Sequence, residues 1–459
     1  MLEQLISIFK DAFEFIVALS ILIVVHEWGH FITAKRLGIK VERFSLGFGP
    51  KIFSKIHDGT EFLLCLIPVG GYVKMAGDER SHHTGRTDEF YSKSPGERAL
   101  VVINGPVVNF ILAYICFVVV FLFGFPGLST RIGFIEDGSP AQRAGLLAGD
   151  KITAIDSKKV YGWESLEYRL EGNDPRPVAV TVERDGTAIT EILQPVVKRE
   201  KNHLGLSVEY KDIGVRPVSY SNVIGDVLEG KPAQKAGLQK GDRIRSINGN
   251  KISTWEEIQD AVKNSPDAKV TVIVLRAGKE ISNTIELLLE TVKDASGTKK
   301  EIRIIGIVPV FEFDAFRFSL FDSIYYGAEE LVYITQKTYQ ALWGMVTGTV
   351  SAGKNVGGPV LIFTVFQAAA NEGLTHWVFI LGVVSASLAI FNLLPVIPLD
   401  GGHLFLFAIE KLRGKALSPK LDEYIARAGF SLIILLTIFV FYADFDRIGL
   451  IDKIKNIFQ

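Results

Sequence analysis

The sequence predicts a polytopic α-helical membrane protein: four transmembrane helices, membrane-associated β-hairpins, and two α+β domains inserted between the membrane parts. Three observations carry this. The chain contains separate apolar runs near the length that crosses a bilayer. At 48% hydrophobic and 22% charged, with a mean hydropathy of +0.26, it is too apolar for an ordinary soluble protein and too charged to lie in a membrane throughout. Its polar middle repeats itself. The net charge of -1 excludes a global basic field of the kind that binds nucleic acid. With two cysteines, Cys65 in a short loop region and Cys116 in an apolar helix, neither a disulfide framework nor a thiolate metal site is expected.

The first span is expected at about 13–32. Phe15 to Val25 holds no charge, and the run ends in His-Glu-Trp-Gly-His. The N-terminus lacks a basic leader and a small-residue cleavage site, so the run reads as a retained helix and not a signal peptide. His26 and His30 are four apart, which places both on one helix face where they can share a metal ion, with Glu27 beside them as general base. That is the zinc-peptidase pattern, here set in a bilayer. An ionisable group at the centre of a spanning helix costs about 2.5–3.5 kcal/mol on insertion scales, so such a group implies function.

Lys35, Arg36, Lys40, Arg43, Lys51 and Lys55 come soon after, a basic flank that assigns this end of the helix to the cytoplasm. Within it, residues 41–75 alternate apolar and polar positions around a His57-Asp58-Gly59 turn and read as β-hairpins beside the membrane site. A second span, about 99–125, contains Gly105-Pro106 and Asn109; these read as tolerated packing and a bridge between helices, with a direct catalytic role for Asn109 as the minor alternative. It returns the chain to the outside, so the polar middle of the chain is expected to be extracytoplasmic.

The repeat becomes visible when the segment from Gly133 is laid over the one from Gly225, 92 residues further on. Each copy holds Pro-Ala, Ala-Gly-Leu, Gly-Asp, an alternating strand and a Trp. The pattern resembles PDZ domains of the bacterial, circularly permuted kind, with short helices from Pro140 and Pro232. The resemblance implies peptide binding by strand addition, with 203–206 (His203 to Leu206) and Ile305-Gly306-Ile307 as accepting segments.

Residues 311–348 show apolar positions at helical spacing with charges between, as suits an interfacial or packing helix, and 356–370 is short for a span and reads as either a re-entrant or an interfacial segment. The third span, about 374–394, runs into Pro395, Pro398 and Gly401-Gly402, which forbid a regular helix; unwound backbone at membrane depth is tolerated where it lines a cavity. Asp400 lies in this segment. Lys411, Arg413, Lys415, Lys420 and Arg427 form another cytoplasmic flank, and a fourth span is expected at about 425–443. The first and third spans then run the same way, bringing His26, His30 and Asp400 to one depth as an N, N, O ligand set for a catalytic zinc, with His403 as the competing third ligand.

HEWGH in the first span, the tandem repeat and Asn-Leu-Leu-Pro with Leu-Asp-Gly-Gly after the third are similar to the site-2 protease family of intramembrane metalloproteases. The resemblance covers nearly the whole chain and implies Zn2+ on His26, His30 and Asp400, with Glu27 as catalytic acid/base. It implies substrate handling by Asn392 and Pro395, and by Gly70, Gly71, Tyr72, Gly47 and Gly49 in membrane-associated β-structure. The family often has Pro-x-Pro, whereas here the second proline is Pro398. The implied domains are 1–127 (N-terminal membrane part), 128–214 and 215–310 (PDZ domains), 311–373 (amphipathic linker) and 374–459 (C-terminal membrane part). The implied activity is cleavage of a single-span membrane protein such as a trimmed anti-sigma factor, or of remnant signal peptides, in a bacterial cytoplasmic membrane. The partners are that substrate, the lipid bilayer and a peptide ligand of the PDZ domains, without nucleic acid. The reading from another class is a non-catalytic PDZ receptor or scaffold with a structural metal site.

Overall fold

A computed structural model describes residues 2–80, 83–201, 206–293, 299–351, 353 and 356–447. The chain divides into two compact units, one built from 1–125, 203–206 and 317–459, the other from 126–202 and 207–316.

In the first unit, helix α1 (Leu2–Arg36) begins well before the expected span, because nothing in Met1 to Asp11 breaks a helix. Helix α2 (Pro95–Phe123) starts on a capping box, Ser94 accepting from the Glu97 N–H while the Glu97 carboxylate accepts from the Ser94 N–H, with proline at the first helical position. It continues through Pro106. Among the described residues, four helices are long and apolar enough to cross a membrane: Phe9–Arg36 of α1, Pro95–Phe123, Leu374–Asn392 and Lys420–Arg447.

Strands β1 (Val41–His57) and β2 (Thr60–Met75) are longer than simple hairpin arms. Each bends, so that Phe44 lies between Val73 on one side and Phe62 on the other, while Ile56 pairs back with Glu61. The result is a small sheet of four half-strands with residues 71–75 at one edge. The bends need glycine: Gly47 and Gly49 both take φ +88°, and a Cβ on Gly47 would come 2.5 Å from the Ile67 carbonyl oxygen. Cys65, expected in a loop, is a buried β2 residue, because the strand runs through it.

The second unit holds both repeats. In the first, strands 151–155, 178–184 and 187–193 form a sheet against helices α3 (Pro140–Arg143) and α4 (Trp163–Leu170), around Ile152, Trp163, Leu166, Val178, Val180 and Val182. The second repeats this arrangement 92 residues on, with helices α5 (Pro232–Lys235) and α6 (Trp255–Lys263) around Ile244, Trp255, Ile258, Val270, Val272 and Val274. The Gly-Asp of each copy does the same work: Asp150 accepts from Arg184 and Asp242 from Arg276, both pairs at 2.6 Å.

Of the expected peptide-accepting segments, His203 to Gly205 lie outside the described residues. Ile305-Gly306-Ile307 is already engaged within its domain, the Ile305 carbonyl accepting from the Ala233 N–H and the Gly306 carbonyl from the Leu228 N–H. Its counterpart in the first copy is Ile213-Gly214-Val215, whose carbonyls at 213 and 214 accept from Ala141 and Glu136 in the same way. The two segments are therefore not equivalent, a correction that the strand register supplies.

Back in the first unit, α7 (Leu320–Val346) packs along α2, with Gly327 against Val118 and the Tyr114 hydroxyl donating to the Ile324 carbonyl. Residues 356–370 mostly form α8 (Pro359–Glu372), a packed helix whose Phe366 is buried with Leu22, Cys116 and Leu381. Helix α9 (Leu374–Asn392) ends two residues earlier than expected. Turns over Leu393 to Leu399 lead into α10 (Asp400–Arg413), so Asp400 opens a helix and the unwound stretch is the one before it. Helix α11 (Pro419–Arg447) is longer than the expected fourth span at both ends.

Candidate metal centre

The site forms where α1, α2 and α10 meet. A Cβ on Gly29 would sit 2.3 Å from the Asn104 carbonyl oxygen, and one on Gly105 would sit 2.4 Å from His30 Nε2 and 2.8 Å from His26 Cε1. Two glycines on facing helices thus let α2 approach until its backbone lies against both imidazoles. On the other flank the unwound turn folds over the start of α10, where a Cβ on Gly401 would overlap the Leu393 carbonyl and one on Gly402 would lie 2.6 Å from the Ile397 nitrogen. These glycines allow Asp400 to be presented from a helix terminus.

His26 Nε2 lies 3.2 Å from His30 Nε2 and 3.2 Å from Asp400 Oδ2, and His30 Nε2 lies 3.6 Å from Asp400 Oδ1. Zinc bonds of about 2.0–2.1 Å in tetrahedral geometry separate their ligand atoms by about 3.3 Å, so the spacing fits such an ion. The protonation pattern fits too. His30 Nδ1 faces the Val101 carbonyl at 3.0 Å, an oxygen that only accepts, so that nitrogen carries the proton and Nε2 is left as a lone pair.

His26 Nδ1 faces the side-chain amide of Asn109 at 3.3 Å, and Asn109 is fully buried with its Oδ1 otherwise unpartnered. Turning that amide by 180° gives Oδ1 the Nδ1–H it lacks, and leaves His26 Nε2 as a second lone pair. Asp400 Oδ2 is itself buried without a hydrogen bond. Three acceptors converge with no donor among them, which is the electrostatic signature of a cation site. Among the described residues, His26, His30 and Asp400 are the group of metal-ligating side chains that meets; His403, the competing ligand, is not part of it and instead faces the Phe407 ring.

Glu27 stands beside this group, next to β2. A Cβ on Gly71 would be 2.9 Å from Ile23 Cγ2 and 3.5 Å from Glu27 Cγ, so the bare backbone of β2 runs past the carboxylate. Tyr72 stacks on Phe48 (centroids 6.1 Å, 15°), and a Cβ on Gly70 would collide with that same Phe48 ring. Gly47, Gly49, Gly70, Gly71 and Tyr72 thus belong to one bend of the sheet, and Gly71 reaches the site. Asn392 ends α9, half-buried, and Pro395 is exposed in the next turn.

In the sequence Gly105 marks only tolerated packing, whereas in the fold it makes room for both histidines; the Val101 carbonyl that orients His30 carries no sequence mark of its own. The indirect signal was Gly105-Pro106. Pro106 has no N–H, so the Val102 carbonyl loses its helical partner and the ladder loosens where Val101 turns to His30.

The arrangement can be compared with known proteins. The profile of Peptidase family M50 matches residues 14–436, an interval that contains all three converging ligands. The chain belongs to peptidase family M50. Among M50 relatives, Regulator of sigma-E protease RseP of Escherichia coli (strain K12) is 32% identical over 461 residues, covering 97% of this chain and 100% of its own. Protease RseP of Yersinia pestis is 32% identical over 457 residues with the same coverage. A Vibrio cholerae serotype O1 relative, named as a zinc metalloprotease, is 31% identical over 455 residues, covering 95% and 98%. In structure, a PDZ domain of Listeria monocytogenes covers 19% of this chain and 85% of its own at 27% identity, with a TM-score of 0.15. The chain is thus a metalloprotease of the site-2 type with membrane-spanning helices.

Proposed function

We propose that this M50 protease cleaves transmembrane segments of single-span proteins, with a zinc ion held by His26, His30 and Asp400 and with Glu27 as general base. The observation that carries this is the convergence of three lone pairs beside an additional carboxylate and an edge strand. A bound zinc supplies an acidified water and polarises a carbonyl. Glu27 accepts a proton from the attacking water and returns it to the leaving nitrogen as the C–N bond breaks. Asn109 and the Val101 carbonyl keep both imidazoles in the tautomer that points Nε2 inward.

A spanning substrate hides its carbonyls in helical hydrogen bonds and must unwind to be cut. Residues 71–75 pair with β1 on one side, so their other edge offers backbone groups to an unwound segment, next to Glu27. Asn392 would hold a substrate carbonyl where Pro395 ends the helix. The expected substrate is an anti-sigma factor already trimmed outside, with remnant signal peptides as a second class. The basic flanks support a metal centre near the cytoplasmic face of a bacterial inner membrane and a PDZ pair outside, where it would bind peptide or exclude substrates with large outer domains.

The PDZ receptor reading is disfavoured by the ligand count. A structural zinc is closed by four protein ligands, whereas three converge among the described residues and Glu27 stands beside them in the place of a base. The test is cleavage of a trimmed single-span substrate by wild-type and Glu27→Gln protein, with bound metal measured in both. Activity should fall at least about 100-fold while metal is retained. Equal cleavage by both proteins would remove Glu27 from the chemistry.

A further inference from the structure

Asp400 is the one ligand delivered by a helix that is cut off from the span before it. Helix α9 stops at Asn392, and the connection to α10 runs through short turns, with Val396 N–H donating to the Leu394 carbonyl and Leu399 N–H to the Val396 carbonyl. The turn packs over the first residues of α10, and the rest of that helix is placed by what it meets further along. His26 and His30 are rigidly placed by a long helix. The 3.2 and 3.6 Å separations to Asp400 therefore depend also on what holds the far end of α10.

Glu410, at that far end, is ten residues from Asp400, about 15 Å along the helix. Its Oε1 accepts from Arg98 Nη2 at 2.6 Å and its Oε2 from Arg80 Nη2 at 2.9 Å. Arg98, only 2% exposed, is the first-turn arginine of α2, the helix that presses Gly105 against the histidines; it also donates to the Lys93 carbonyl and lies over the Phe407 and Tyr91 rings. Arg80 comes after β2, the strand that passes Glu27; it reaches Asp422 of α11 at 2.5 Å and also covers Tyr91. One carboxylate thus joins α10 to α2 and to the segment that follows β2. A buried guanidinium is costly unless paired, so sliding α10 by a fraction of a turn is penalised at Glu410.

We propose that Glu410, held by Arg98 and Arg80, is a positioning residue that sets Asp400 at the depth of His26 and His30. The proposal rests on the zinc-protease reading of the centre. Its test uses the full-length protein in detergent: zinc affinity by chelator competition, the visible spectrum of the cobalt-substituted protein as a report of ligand geometry, and thermal unfolding of the metal-free form. Wild type, Glu410→Gln, Asp400→Ala and Phe366→Leu are compared, the last a packing change in α8 away from the clamp.

Glu410→Gln should weaken zinc binding about tenfold and alter the cobalt spectrum, the size expected of a coupled residue that touches no ligand. Phe366→Leu should lower the unfolding temperature without either effect. If Glu410→Gln loses only thermal stability and keeps wild-type affinity and spectrum, Glu410 is structural and the proposal is overturned. Should that variant fail to accumulate, Arg80→Lys is measured in the same assays: weaker zinc binding with an altered spectrum supports the clamp, and wild-type values for both overturn it. Failure of the zinc reading itself looks different: Asp400→Ala would then bind zinc as tightly as wild type.

Discussion

At the scale of single residues, the centre depends on atoms that are missing as much as on those present. Gly105→Ala places a methyl where His30 Nε2 and His26 Cε1 already are, so α2 must move away. We expect its zinc stoichiometry to fall together with activity, whereas Glu27→Gln loses activity alone. Asn109 separates two roles that sequence could not: it touches His26 and not the space in front of it. Asn109→Leu removes the acceptor for His26 Nδ1–H and should cost about 10–100-fold in metal affinity, while Asn109→Asp, which keeps an acceptor oxygen, should retain more of it; chelator competition measures both. The histidines and glutamate were legible because their spacing is local to one helix face. The Val101 carbonyl was not, because a backbone oxygen carries no residue identity.

At the scale of elements, β2 and α10 were legible to different degrees. Alternation announced strands over 41–75, but the bending of each strand, which puts residues 71–75 at an edge, depends on glycines whose contacts lie across the sheet. Gly71→Leu would crowd Ile23 and the Ser45 carbonyl beside Glu27. The variant should bind zinc normally and cleave poorly, with the loss expressed in KM if the edge receives substrate; a loss of zinc instead would show that Gly71 serves packing. For α10, prolines and paired glycines announced a broken helix, yet they located Asp400 in the unwound stretch and not at the start of the next helix. The reason is physical: Gly401 and Gly402 are required by close approach of the 393–397 turn, which leaves them free to be helical themselves.

At the scale of the whole molecule, each repeat has its own core and its own buried carboxylate–arginine pair, so residues 126–316 should fold as a soluble fragment. Arg184→Ala should destabilise the first domain and leave the second unchanged, with Arg276→Ala doing the reverse. Calorimetry of the fragment resolves the two. The Arg184 guanidinium holds the Asp150 carboxyl below its ordinary value of 3.8. A lowered carboxylate contributes stability that is full above that value and is lost as pH falls through the folded-state value, so wild-type fragment should outlast Arg184→Ala down to about pH 4 and the difference should shrink below it. Equal acid curves would show that the pair adds nothing.

The sequence by itself determined the membrane class, the tandem repeat with its 92-residue period, and the residue types at the centre, because hydropathy, periodicity and motif spacing are local properties of a chain. Tertiary structure alone decided that Asp400 opens a helix, that Gly105 makes room for His26 and His30, and that Glu410 ties α10 to residues 312 and 330 positions earlier. Those decisions turn on distances between segments far apart in the chain. Such distances are fixed by how closely helices approach and where a helix is cut, and no short stretch of sequence contains them.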